Sequence, residues 1–167
     1  MDATNNKLGS VVVLGTPAEE GGGGKIRMMR KDGFKDIDYC MMVHPTPIDS
    51  TLPLVLSRET LEATFKGEAA HAAAFPWEGI NALDAAVMAY NSISMLRQQM
   101  KPTWRVHGVI LEGGIKPNII PDKAVIQYNV RAPSNEEVDH LREKIRNCIE
   151  GAAKSTGKKN TLASRLY

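Results

Sequence analysis

The chain has 167 residues, of which 43% are hydrophobic and 24% are charged, which is the composition of a folded protein rather than a disordered one. Its net charge of +2 is too small to indicate nucleic-acid binding. No apolar stretch approaches the roughly 20 residues that a membrane-spanning helix needs, and the polar N-terminus lacks the apolar segment of a signal peptide. We therefore expect neither nucleic acid nor a membrane as a partner.

The first notable stretch is a pair of acidic residues that follows an apolar run. Val11 to Leu14 predicts a buried strand, and the loop after it carries Glu19 and Glu20, followed by four glycines. Adjacent carboxylates repel each other unless a cation lies beside them, so the pair indicates a metal site with one ligand and one proton acceptor. A solvated acidic turn is the alternative. A phosphate-binding loop is excluded, because Ile26 stands where that pattern requires Ser or Thr.

The next elements are a short helix and a second strand. The helix is predicted over residues 25–30, with Ile26 and Met29 facing inward. The apolar run from Tyr39 to Val43 predicts a buried strand that ends at His44. A histidine before proline is usually structural, but beside the acidic pair it becomes a candidate metal ligand, because ligand sites gather at strand ends. The prolines that follow indicate a linker between two domains, residues 1–52 and 53–167.

Beyond the linker the pattern changes to alternating apolar and polar residues. It predicts a strand that ends at Lys66, a loop of small residues around His71, and a helix that begins after Asn81. His71 is either an ordinary loop residue or a ring held close to a ligand. The inward face of the helix is predicted to carry Leu83, Val87, Tyr90 and Ile93.

The remaining elements complete a recognisable order. Strands are predicted over 104–111 and 124–131, and a capping box at Ser134 and Glu137 begins a second helix. Residues 161–167 are a weakly patterned candidate strand. This order is the ferredoxin-like βαββαβ arrangement, an antiparallel sheet with two helices on one face. The two strands before the linker lack neighbours, so we expect the chain to be a fragment of a longer α/β protein.

The two cysteines indicate the cellular compartment in which the protein works. Cys40 lies in an apolar run and Cys148 on an apolar helix face, so both are predicted to be buried thiols rather than a disulfide. Free thiols suit a reducing compartment, and we expect a cytoplasmic protein.

Three loops together resemble the aminoacylase and carboxypeptidase-type di-metal peptidases, in particular their amidohydrolase branch. They are residues 17–25, 71–79 and 116–121, and the resemblance extends over roughly Val11 to Ala153. Each loop alone is weakly specific, and it is their order and spacing that carries the likeness. The resemblance implies that the first part belongs to an α/β catalytic domain and that the chain from Ser57 onward is the lid, or dimerisation, domain.

For the first part, the resemblance implies a metal centre. Glu19 resembles the general base that takes a proton from a metal-bound water, Glu20 resembles a metal ligand, and His44 resembles a further ligand. The family binds two divalent ions, and carboxylate and imidazole ligands suit Zn or Mn alike.

For the lid, the resemblance implies substrate contacts and a homodimer. His71 resembles the histidine that crosses the dimer to stabilise the oxyanion in the partner's site. Asn118 and Arg131 resemble residues that hold the substrate's carboxylate and backbone. The implied reaction is hydrolysis of a dipeptide or an N-acyl amino acid with a free carboxylate, such as a dipeptide with a basic C-terminal residue.

The chain also departs from the family pattern. The family takes its first metal ligands from an upstream motif with His or Cys, and neither occurs in the ten residues before Val11. A last histidine ligand that follows the lid is also missing. We therefore expect that these 167 residues alone do not form a competent di-metal site. A non-catalytic dimerisation module, an inactive isoform that pairs with a full-length partner, and a regulatory ferredoxin-like domain remain alternatives.

Overall fold

A computed structural model describes residues 9–157 and the backbone of residues 161–165. The chain divides after Asp49 into two units, which are described separately. Among the described residues, no helix combines the length and apolar character needed to cross a bilayer.

The second unit is built on one antiparallel sheet. Its strands are β1 (Ser57–Lys66), β2 (Arg105–Glu112), β3 (Lys123–Ala132) and β4 (Thr161–Arg165). Their order across the sheet is β2-β3-β1-β4. The central pair runs from Ser57 opposite Ala132 to Lys66 opposite Lys123. The predicted βαββαβ order is confirmed, including a fourth strand, whose last two predicted residues lie outside the described part of the chain.

Three α-helices occur in the described residues: α1 (Gly24–Met29), α2 (Ala82–Leu96) and α3 (Asn135–Ser155). The caps that the sequence predicts are present, because Asn81 Oδ1 accepts from the Leu83 N–H at 2.9 Å and Ser134 Oγ accepts from the Glu137 N–H at 3.2 Å. Helices α2 and α3 pack on one face of the sheet and on each other, and no helix among the described residues of this unit covers the opposite face.

The core lies between the sheet and the two helices. On β1 and β3, the predicted inward residues are buried, with Phe65 and Tyr128 the largest. The prediction for α2 is wrong in part: Val87 is 41% exposed, and the helix turns Ala82, Ala85, Ala86 and Ala89 inward together with Ile93. Small side chains let α2 approach the sheet closely, while the bulky Phe65 and Tyr128 fill the space from the other side.

The first unit differs most from the sequence predictions. The described residues include a helix at α1 but no strand at 11–14 or 39–43, where Val13 is 90% and Val43 is 96% exposed. Ile26 and Met29 are exposed rather than inward, and Cys40 is exposed rather than buried. The physical reason is that a buried strand needs hydrogen-bonding neighbours, and the described residues of this unit provide none.

Candidate functional site

Two of the predicted site residues, His71 and Asn118, lie together at one end of the sheet. The loop after β1 and the loop between β2 and β3 are joined by backbone hydrogen bonds, from Ala72 N–H to Asn118 O at 3.0 Å and from Ile120 N–H to Ala70 O at 2.9 Å. His71 stands opposite Ile119 in the short bridge that these bonds form. Both candidate side chains are exposed, so they are available to a ligand.

The hydrogen bonds of the His71 ring determine its tautomer. Nδ1 accepts from the backbone N–H groups of Ala73 and Ala74, each at 3.2 Å. A neutral imidazole has one acceptor and one donor nitrogen, so the proton lies on Nε2. The exposed ring therefore presents an N–H donor, held in place by its own loop.

The loop that carries Asn118 is closed tightly at both ends. Gly114 has φ +108°, and a Cβ there would lie 2.7 Å from Cγ of Pro121, so only glycine fits this turn. Lys123 Nζ binds Glu112 Oε2 at 2.7 Å across the base of the loop, and this hydrogen bond raises the pKa of Lys123. These two contacts hold together the ends of the loop that carries Asn118.

An open groove of about 400 Å³ runs beside these two loops. It is lined by Ala72 of the histidine loop, by Asn81 and Leu83 at the start of α2, and by residues 113–117 and 119–121 of the long loop. Most of these lining residues are apolar, and Asn81 and Lys116 add polar side chains, a composition that suits a small molecule with a polar end. His71 and Asn118 are not part of its lining but are neighbours of residues that are.

Arg131 lies at the other end of the sheet. It stands eight positions along β3 from Lys123, where the Asn118 loop ends, which corresponds to roughly 26 Å of strand. Its cross-strand neighbours are Arg58 on β1 and Arg105 on β2. Within one chain, the structure therefore does not bring Arg131 together with His71 and Asn118.

The candidate metal residues lie in the first unit. Glu19 and Glu20 are exposed in the turn before α1, and His44 is exposed, with Nδ1 donating to Pro45 O at 3.0 Å. Carboxylate and imidazole are suitable donors for Zn or Mn. Among the described residues, however, no three His, Cys, Asp or Glu side chains form a group that could hold a metal ion. The donor types fit, but the described residues do not assemble a complete ligand set.

Some residues of interest were not singled out by the sequence. Arg58 and Arg105 adjoin Arg131 only because of the strand register, which the sequence pattern does not determine to the residue. Lys116 borders the groove and lies in the loop 116–121 that carries part of the family resemblance, although no role was predicted for it. Glu59 is only 3% exposed and lies on the helix-covered face of the sheet. The alternation that places Leu61 on this face predicts the same for Glu59, whereas the charge of a glutamate argues against burial.

Comparison with known proteins gives three consistent results. The sequence model of the peptidase dimerisation domain, M20_dimer, matches residues 59–157, more than half of the chain. The Xaa-Arg dipeptidase of Mus musculus is 50% identical over 147 residues, which cover 88% of this chain and 34% of that protein. One of the subunits of the p-aminobenzoyl-glutamate hydrolase of Escherichia coli is 36% identical over 150 residues, which cover 89% of this chain and 31% of that subunit. The chain thus spans about a third of the length of these relatives.

Solved structures agree on the fold. An aminobenzoyl-glutamate utilization protein from Klebsiella pneumoniae superposes with a TM-score of 0.57 at 22% identity, over 70% of this chain and 32% of that one. An amidase of the hydantoinase/carbamoylase family from Burkholderia multivorans superposes with a TM-score of 0.61 at 19% identity, over 67% of this chain and 28% of that one. At such identities the likeness concerns the fold alone.

Proposed function

Because the chain belongs to the M20 peptidases through their dimerisation domain, we propose that it is part of a metal-dependent dipeptidase or amidohydrolase. The proposed reaction is hydrolysis of the amide bond of a dipeptide or N-acyl amino acid with a free carboxylate. In this proposal the second unit is the lid, and the first unit belongs to the catalytic domain.

The observation that carries the proposal is the state of the His71 ring. Its Nδ1 is occupied by two backbone donors, so Nε2–H points outward as a fixed hydrogen-bond donor. A donor aimed at the oxygen of the amide under attack stabilises the negative charge that develops there, a contribution worth about 2.7–4 kcal/mol in other hydrolases. Asn118 would orient the substrate's backbone from the adjoining loop.

The separation of Arg131 from His71 supports a homodimer. The two ends of β3 are roughly 26 Å apart, so one small substrate cannot contact both of them. If Arg131 holds the substrate's carboxylate, His71 must reach that substrate from a second copy of the chain. A twofold dimer supplies both ends to each site.

The catalytic part of the proposal concerns the first unit. Glu20 and His44 would contribute ligands to a centre of two divalent ions, Zn or Mn, and further ligands must come from outside the described residues. When bound, such ions lower the pKa of a coordinated water towards about 7. Glu19 would take up a proton and deliver it to the leaving amine.

The names of the relatives guide the choice of substrate. The mouse relative is named for dipeptides that end in arginine, so we propose a dipeptide with a basic C-terminal residue as the first substrate to test. We also propose a cytoplasmic location, which the two free cysteines support.

The test is hydrolysis of such a dipeptide by the intact protein, with and without a chelator. Glu19→Gln should reduce kcat by a factor of about 100 or more, because it removes the proton acceptor. Glu150→Gln on α3 is the matched control and should leave kcat unchanged. Unaltered hydrolysis by Glu19→Gln would exclude the role of this residue as the base.

A second candidate function is a non-catalytic dimerisation module, or an inactive isoform that pairs with a full-length partner. The observation that favours it is the edge strand β2, where Val109 and Leu111 are more than half exposed. This function predicts dimers without hydrolysis. A protein that stays monomeric at high concentration in light scattering would argue against it.

A further inference from the structure

The loop that carries His71 also carries two exposed aromatic side chains. Phe75 is 55% and Trp77 is 76% exposed, and their ring centroids lie 5.8 Å apart with the ring planes at 88°. Neither ring belongs to the core cluster of the second unit. A single exposed apolar residue is common, but a tryptophan usually buries most of its surface, and here two large rings adjoin each other. We call Phe75 and Trp77 the aromatic pair.

Backbone hydrogen bonds fix the position of the aromatic pair. The two ends of the loop are joined by a pair of bonds between Glu68 and Ile80, each at 2.9 Å. Within the loop, the Phe75 N–H donates to His71 O at 3.1 Å, which closes one turn. The second ring belongs to the short 3₁₀-helix Pro76–Glu78 that follows this turn. The pair is therefore presented to solvent by hydrogen-bonded turns and not by an extended loop.

The aromatic pair lies close to the His71 donor. One turn of chain, which rises about 5.4 Å in a helix, separates His71 from Phe75, and the Trp77 ring adjoins that of Phe75. The two rings are thus on the order of 10 Å from the donor. A lysine or arginine side chain next to the amide that His71 contacts spans such a distance.

The residue types of this loop favour a cation. The face of an aromatic ring attracts an ammonium or guanidinium group, and tryptophan does so most strongly. Residues 71–79 contain no lysine or arginine and one carboxylate, that of Glu78, which follows Trp77 directly. Within the described part of the chain, this carboxylate forms no ion pair. Aromatic faces beside an unpaired carboxylate suit a positive group and disfavour a carboxylate or a phosphate.

From this arrangement we propose that the aromatic pair and Glu78 form the subsite for the basic side chain of the substrate. The inference rests on the proposed dipeptidase function and extends it to the selection of substrates. The copy of the chain that brings His71 to a substrate also brings Trp77 to its cationic group, while Arg131 of the other copy holds the carboxylate. Trp77 determines specificity and takes no part in cleavage of the amide bond.

The experiment compares two dipeptides of equal size, alanyl-arginine and alanyl-citrulline, because citrulline carries an uncharged urea in place of the guanidinium. In the intact protein, Trp77→Leu should lower the ratio of kcat/KM for alanyl-arginine to that for alanyl-citrulline by at least about fivefold. Trp77→Tyr is the matched control, which retains an aromatic face and should keep the ratio within about twofold. An unchanged ratio in Trp77→Leu would overturn the proposal.

The same variants distinguish a subsite from a contact between two copies of the chain. If the aromatic pair only packed against a second copy, Trp77→Leu would lower kcat/KM for both dipeptides by the same factor and would weaken the dimer in light scattering. That result would also overturn the proposal. A subsite predicts a loss confined to alanyl-arginine, with the dimer unchanged.

Equilibrium binding separates this inference from the proposed function. Calorimetric titration of the intact Glu19→Gln protein measures the binding of both dipeptides without turnover. Tighter binding of alanyl-arginine that Trp77→Leu abolishes would support the subsite even if the unaltered protein hydrolysed neither dipeptide, a result that would exclude the hydrolytic function alone. Hydrolysis with an unchanged ratio would exclude the subsite alone. Absence of both hydrolysis and binding would exclude both.

Discussion

At the scale of single residues, the buried hydroxyl of Tyr128 is a defect in an otherwise apolar core. The side chain is 1% exposed, and its hydroxyl has no hydrogen-bond partner among the described residues. A buried polar group without a partner costs about 1–3 kcal/mol. We predict that Tyr128→Phe increases the free energy of unfolding by about 1 kcal/mol at neutral pH, measured by urea denaturation. Tyr39→Phe, at a position 92% exposed, should change nothing.

The same hydroxyl predicts a dependence of stability on pH. Burial, with a smaller contribution from Tyr90, raises the pKa of Tyr128 to about 12. A group whose folded-state pKa lies above its unfolded value of about 10 contributes stability below that value and loses it as the pH rises towards 12. The advantage of Tyr128→Phe over the unaltered chain should therefore grow between about pH 10 and about pH 12. A constant difference would show that the hydroxyl is solvated.

The buried carboxylate of Glu59 gives a second prediction at this scale. Glu59 is 3% exposed, and Arg142 Nη1 binds its Oε2 at 2.9 Å. Removing one partner of a buried ion pair leaves an uncompensated charge, which costs about 3–5 kcal/mol. Arg142→Met should thus lower the free energy of unfolding by about 3 kcal/mol.

Arg146→Met is the control for that change. Arg146 pairs with the exposed Glu143 at 3.3 Å on the same helix, and such surface pairs contribute less than about 1 kcal/mol. Equal losses in the two variants would mean that water reaches Glu59 and that its pairing with Arg142 contributes little.

At the scale of elements, the packing of β2 on β3 depends on Gly108. A Cβ at this position would lie 2.5 Å from the Gln127 carbonyl oxygen and 2.5 Å from the Tyr128 ring. Overpacking of this kind costs about 1–3 kcal/mol, so Gly108→Ala should lower the free energy of unfolding by that amount. A Cβ added at Gly151 in α3 would meet nothing within 4 Å. Gly151→Ala should therefore increase the free energy of unfolding by about 0.5–1 kcal/mol. Both values can be measured by chemical denaturation.

The elements also mark the limit of what the sequence predicts. The alternation around Leu61 and Tyr128 and the caps at Asn81 and Ser134 predicted the second unit, because these elements pack on one another within the chain. The run at Val11 predicted a strand that is absent from the described residues, because pairing requires a neighbour that apolar composition cannot supply.

The candidate site, too, could be predicted from the sequence only in part. The structure joins the loops of His71 and Asn118, two segments that the family resemblance had singled out as carrying substrate contacts. The distance of Arg131 from them, and its place between Arg58 and Arg105, depend on strand register and could not be predicted from a single sequence.

At the scale of the whole molecule, the free edge of the sheet at β2 predicts how two copies associate. Val109 and Leu111 are 55% and 53% exposed on this strand, an apolar surface that an isolated domain would be expected to protect. Pairing of β2 with β2 of a second copy would extend the sheet across a twofold axis. We predict that Val109→Lys combined with Leu111→Lys weakens the dimer by at least about tenfold, because each interface would then bury four additional positive charges.

The measurement is light scattering over a range of protein concentrations, with Met95→Lys as the control. Met95 is 72% exposed on α2, so this control adds charge to the helix layer instead of the sheet edge. Dissociation of the β2 variant alone would assign the interface to the sheet edge. If only the helix variant dissociated, the interface would lie on the helices, and His71 would have to reach a second site by a different arrangement of the two copies.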